Sequence, residues 1–351
     1  MSNRPRHELA ALLASDWDVG VACIVATFGT VPQVGLHRLL TSVPSVSRGT
    51  GCDGWLSQLS ARYSVDFDPA RLFRLQSEEA VYKKMLERTN GLGIFRSLRL
   101  VGGVESDEQQ GRGRHAVWCL SPVGASALAA KSSREKPTKP KEISFPTAGA
   151  GYSLPTLVHD AQMSTYLLSL LVGFSAKTRL LNEVWDVVDI FGNGEQWGTG
   201  GAVLFPDAVV KLMCNGKPAT MIIENDSGTM NEKRIKDKAI AYLRYMMMGN
   251  EFSWSRPWIL FCCPQNKIAV HERAILSAYE ETGLLTMGGG GKVGRIAVVT
   301  HEDTGALGAS GDIYRVFSPK ENALLPTRYA LQVMAWETFS GSSLLCGFLA
   351  N

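Results

Sequence analysis

Residues 7–13 and 19–28 are dense in apolar side chains and read as helices, and Val34–Leu40 reads as a short helix after Pro32. Residues 78–91 read as a longer helix that stops at Gly91. The period then changes. Ile94–Val101 and Ala116–Leu120 read as strands on either side of a polar loop, Gly102–Arg114, and Ser121-Pro122 opens a further helix. Residues 41–77, with Gly49, Gly51 and Gly54 near Trp55, hold no sustained period and read as a loop with short helical pieces. Lys131–Gly151 is rich in Lys, Pro, Ser and Gly and reads as a linker, either a basic tether along a phosphate backbone or a solvated spacer.

Beyond it, Ser164–Phe174 is an apolar helix and Arg179–Val188 a second helix or a strand. Two strands, Ala202–Cys214 and Lys217–Asp226, flank Asn215-Gly216, a strong two-residue hairpin signal. A helix opens near Thr229 and Glu232, which stand in capping-box spacing. Trp258–Cys263, Arg295–Thr300 and Ile313–Phe317 read as strands, with a helix at Val270–Thr282 and another at Thr327–Glu337. The pattern predicts an α/β chain of the α+β kind: a helical domain with a two-stranded wing at 1–130, a linker at 131–151, and a mixed-sheet domain at 152–351. The order of the first domain, with the phrase VWCLSPVGASAL as last wing strand and closing helix, is that of a winged helix.

The hairpin carries the chemistry. With a two-residue turn Cys214 pairs with Lys217, and counting outward sets Asp207 opposite Glu224 on one face, where like charges repel unless a cation lies between them. Glu224 and Asp226 are two apart, so strand alternation adds a third carboxylate. Such a set is a hard-oxygen site suited to Mg2+ or Mn2+. Arg234 and Lys238 share a face of the following helix and bring positive charge to it.

Pro206-Asp207, Glu224-Asn225-Asp226 and the following lysine resemble the core of the PD-(D/E)xK nucleases. The fuller phrase PDAVV…IIENDSGT…RIKDKAIAYL resembles the replication-relaxation group, which includes MobC-type plasmid mobilisation relaxases. The resemblance implies a restriction-endonuclease-like fold and a metal-dependent endonuclease that nicks DNA at a plasmid or mobile-element origin. Asp207, Glu224 and Asp226 would hold the metal and Lys238 would take the lysine's place; Glu183 reads as a surface glutamate beside Trp185 or as an extra acid for the metal. Asp226 stands where many such nucleases carry lysine, so a non-catalytic DNA-binding regulator on an inactive nuclease-like scaffold is the rival expectation. Double-stranded DNA is the expected partner, with other mobilisation or replication proteins and a homodimer also open.

Charge fits that partner modestly. The first 150 residues hold 19 Lys+Arg against 14 Asp+Glu and the rest 17 against 19, a basic front and a slightly acidic back. Lys83, Lys84 and Arg88 fall on the helix expected to read DNA, and Arg112 and Arg114 at the wing tip, or these are solvated faces of a protein-docking module. Arg234 is a further candidate DNA contact. Seven scattered cysteines without a C-x-x-C pair read as reduced thiols. With no apolar stretch of 18 residues and no signal-peptide core, a cytoplasmic protein without a membrane span is expected. Gly288–Gly291 with Lys292 fails as a P-loop, because Val293 replaces the Ser or Thr that would bind Mg2+.

Overall fold

A computed structural model of the chain describes residues 4–42, 52–74, 77–99, 116–132, 154–181, 185–191, 204–214, 217–247, 257–283, 296–307, 315–318 and 323–326. The protein is of the α+β kind; the described residues form one three-stranded and one seven-stranded sheet, and the chain divides into two compact units, Met1–Leu180 and Leu181–Asn351.

The first unit begins with α1 (Arg6–Ala11) and α2 (Asp16–Phe28). Ser15 caps α2 through a reciprocal capping box with Asp18, satisfying two amides that a helix start otherwise leaves bare. A short strand β1 (Thr30–Pro32) leads to α3 (Gln33–Ser42), and residues 41–77 contribute α4 (Cys52–Tyr63) and a 3-10 turn at Pro69–Arg74. Then come α5 (Glu78–Asn90), β2 (Phe95–Arg99), β3 (Ala116–Leu120) and α6 (Pro122–Lys131), whose N-cap is Ser121. The strands form an antiparallel sheet in the order β1-β3-β2, so the expected two-stranded wing has a third strand. Three residues are too few to show a period, which is why β1 was not legible. Gly124 is required where α6 meets β2, because a Cβ there would lie 2.1 Å from the Ile94 carbonyl oxygen.

α7 (Leu154–Leu181) runs 28 residues, far beyond the expected 164–174. Its Leu157 and Ala161 pack with Val117 and Leu98, and the Ser164 hydroxyl reaches the Phe28 carbonyl. This helix therefore belongs with the first unit, a correction to the boundary expected at 152, and the apolar side it turns toward β3 is the reason. Residues 133–153, most of the expected linker, lie outside the described residues.

In the second unit β4 (Trp185–Phe191), β5 (Ala208–Cys214) and β6 (Lys217–Asn225) form an antiparallel meander. The chain continues through α8 (Glu232–Met247) to β7 (Trp258–Cys263), parallel to β6, and through α9 (Ile268–Glu281) to β8 (Ile296–Thr300), parallel to β7. α10 (His301–Leu307), β9 (Arg315–Ser318) and β10 (Ala323–Pro326) complete it, giving the order β10-β9-β8-β7-β6-β5-β4. α10 and β10 add to the expected elements. The helix expected at 327–337 lies outside the described residues.

One sheet face carries Val209, Ile222, Ile259, Phe261, Ile296 and Val298, and it is covered by Ile235, Ala239, Tyr242 and Leu243 of α8 with Ala274, Ile275 and Ala278 of α9. Burying each large aliphatic side chain there contributes roughly 1.5–3 kcal/mol. The central strands are apolar on both faces, as β7 shows with six buried residues in a row, the pattern of parallel strands inside a sheet. Among the described residues no helix is long and apolar enough to cross a membrane.

Candidate active site

The site forms where the sheet changes from antiparallel to parallel. Cys214 pairs with Lys217 and Ala208 with Ile223, which is the register of a two-residue turn. One step further, the Asp207 amide donates to the Ile223 carbonyl at 3.1 Å and the Asn225 amide donates to Asp207 Oδ2 at 2.7 Å. The paired register ends at Ala208 and Ile223, so Asp207 lies just outside it beside the end of β6, where the Asn225 amide steers its carboxylate and its charge acts on Glu224.

Glu224 lies at the end of β6, only 1% exposed, on the face covered by α8. Two side chains of that helix, four residues apart and so on one face, meet it: the Lys238 ammonium donates to Oε2 and the Tyr242 hydroxyl to Oε1. Burial is the main influence on this acid and raises its pKa from 4.5 to about 7; Lys238 opposes the rise and the charge of Asp207 adds to it. Burial also pushes the Tyr242 phenol far above its ordinary value, with the Glu224 charge assisting, so it stays a protonated donor. Tyr242 packs in the core beneath α8 while its hydroxyl has a definite partner.

Asp226 does not join the pair. β6 ends at Asn225, and the Asp226 amide donates to the Cys262 carbonyl at 2.8 Å. Its Oδ1 then accepts the amides of Gly228, Thr229 and Met230 at 2.8, 2.9 and 3.0 Å. The carboxylate closes the turn that leads to α8, a turn for which Gly228 supplies a φ of 95°. Three converging carboxylates are therefore not what forms, and among the described residues no group of three or more His, Cys, Asp or Glu could hold a metal. The physical reason is that alternation ceases where the strand ends. Nor does Thr229 cap α8: Asn231 does, its Oδ1 accepting the Arg234 amide at 2.9 Å.

Two histidines that the sequence reading passed over surround Asp226. His271, fully buried on α9, donates from Nδ1 to the Lys267 carbonyl at 3.1 Å, and its Nε2 lies 3.5 Å from Asp226 Oδ2. His301 Nε2 donates to the Asp226 carbonyl at 3.1 Å. Burial lowers the His271 pKa, the nearby Asp226 charge opposing. His271 was hidden because it replaces an apolar residue in the stripe His271, Ala274, Ile275, Ala278.

The basic residues expected to meet DNA are not alike. Arg88 Nε lies 2.6 Å from Oδ1 of Asp18, which is 1% exposed, and the Lys84 ammonium sits 4.2 Å over the Trp17 ring. Burial lowers the Lys84 pKa, with Asp18 opposing. Lys83 is exposed, between the exposed Glu79 and Glu87 one turn away on either side. Arg234 is exposed on α8. Arg112, Arg114 and Glu183 lie outside the described residues. The chain matches no protein-family model, no curated protein and no solved structure.

Proposed function

We propose that the protein is a metal-dependent DNA endonuclease that nicks a strand at a plasmid or mobile-element origin, with Asp207, Glu224 and Lys238 as its working residues. The observation that carries this is the Lys238 ammonium on buried Glu224, with Asp207, just before β5, held by the Asn225 amide close enough for its charge to act on Glu224. Nicking and mobilisation are taken from the resemblance to the replication-relaxation group.

Two neighbouring carboxylates suit Mg2+ or Mn2+, since Mg2+ commonly binds through one or two carboxylates and fills its remaining positions with water and substrate phosphate. A buried acid with a pKa near neutrality gains from a divalent charge beside it, so the donor set fits such an ion. When bound, the metal supplies an activated water and neutralises charge on the phosphate. The chain's own residues do the rest. The Asn225 amide orients Asp207, Tyr242 fixes Glu224, and Lys238 keeps a positive charge where negative charge grows on the phosphate. Asp226 serves by fixing the turn that aims α8, and with it Lys238 and Tyr242.

The second reading, a non-catalytic DNA-binding regulator, is favoured by Asp226, whose Oδ1 is committed to three backbone amides. Supercoiled plasmid carrying the protein's own neighbouring DNA separates the two. Nicking by wild type in Mg2+ or Mn2+, and its loss in Glu224→Gln and Asp207→Asn, supports the endonuclease; an uncut plasmid with retained DNA binding supports the regulator.

A further inference from the structure

Phe205 alone, among the large apolar side chains of the described residues, is exposed, at 60%. Burial alternates along this segment: Leu204, Pro206 and Ala208 are buried, while Phe205 and Asp207 are not. Both neighbours of the phenylalanine are therefore anchored. Leu204 belongs to the core beneath α8, the Pro206 ring fixes its own φ, and Asp207 is tied to Ile223 and Asn225. The ring is held outward on a backbone that has little freedom, two residues from a candidate metal ligand and so within about 7 Å of it along the chain. That reach is on the scale of one nucleotide step in an extended strand.

Resting on the endonuclease reading, we infer that Phe205 stacks on an unpaired base beside the reacting phosphate, so that the site takes single-stranded or locally melted DNA in preference to intact duplex. A protein partner would ask for a contiguous apolar patch, whereas among the described residues no other large apolar side chain is exposed, and Asp207 lies two residues along the chain. A single flat apolar face beside charged groups is what one nucleobase with its phosphate requires, and stacking tolerates any base. Phe205 is a positioning residue in this arrangement; it touches the base, not the reacting atoms.

The test uses the full chain in Ca2+ at low salt, with a single-stranded oligonucleotide carrying 2-aminopurine and a duplex of the same sequence. Wild type binds the single strand more tightly and changes the 2-aminopurine fluorescence. Phe205→Ala weakens single-strand binding on the order of tenfold and abolishes the fluorescence change, leaves duplex binding unaltered, and Phe205→Trp restores both. If Phe205→Ala equals wild type on both DNAs while plasmid nicking persists, the stacking role is wrong and the endonuclease stands. If neither DNA binds and plasmid stays intact, both are wrong. If Phe205→Ala changes only the mass in sedimentation, the ring belongs to a protein contact and the inference fails.

Discussion

Lys238 donates to Oε2 of Glu224 across 14 residues of chain, joining the first turns of α8 to the end of β6. Lys238 is 29% exposed at its side chain and Glu224 only 2%, so the lysine is the solvated partner of a desolvated acid. Replacing it by methionine keeps the stem that packs along α8 and removes the charge. Above pH 7 Lys238→Met is expected to lose about 2 kcal/mol, less than for a fully buried pair because water screens the lysine. At pH 6 the loss is smaller, since Glu224 then holds a proton. Urea denaturation at pH 6 and pH 8 measures both; equal losses would mean that the ion pair is not the source.

The pH dependence of Glu224 follows from its raised pKa. In the unfolded chain the acid loses its proton near pH 4.5, while in the folded protein it keeps it to about 7. Between these values the folded state binds more protons, so stability falls as pH rises, by at most about 1.4 kcal/mol per pH unit, and the effect ends above 7. Glu224→Gln cannot titrate and lacks this slope. The two proteins should therefore diverge across pH 4.5–7 in denaturation series, and parallel curves would place the ionisation elsewhere.

The hairpin register was legible because Asn-Gly fixes a turn length and the strand period fixes faces, as the pairs from Cys214↔Lys217 to Ala208↔Ile223 show. Arg234 and Lys238 were legible as a helix face, but the meeting of Lys238 and Tyr242 with Glu224 depends on the angle of α8, which the turn at Asp226 sets. The fate of Asp226 was not legible, because periodicity is silent about where a strand ends. Long-range pairs were equally hidden: Arg88 looks like a free cation on an amphipathic helix until Asp18, 70 residues earlier, is buried beside it. β1 and α10 are short, three and seven residues, and tertiary packing outweighs local pattern at such lengths.

Asp226 and Asp207 should separate structure from metal binding. Asp226→Ala leaves the Gly228, Thr229 and Met230 amides without their acceptor and is expected to cost at least about 2 kcal/mol. Asp207→Asn retains an oxygen for the Asn225 amide and should stay within about 1 kcal/mol of wild type, yet lose Mg2+ binding in calorimetric titration. Full stability in Asp226→Ala would release that carboxylate for the metal site and restore the three-acid arrangement.

Arg88 and Lys83 divide the same helix into an inner and an outer charge. Removing Arg88 strands the carboxylate of Asp18, which also caps α2 through the amide and hydroxyl of Ser15. Arg88→Ala should cost about 2–3 kcal/mol, less than the full penalty of an orphaned buried charge because Arg88 is 26% exposed. The double change Asp18→Asn with Arg88→Met should recover part of it. Lys83→Glu, on an exposed site, should leave the melting temperature within error, and if α5 meets DNA it lowers affinity and reduces the salt slope by about one. DNA binding by Arg88→Ala should therefore match wild type at low temperature and fail only as the first unit melts. Should Arg88→Ala keep its melting temperature and still lose DNA at every temperature, Arg88 contacts phosphate and the ion pair with Asp18 is not its role.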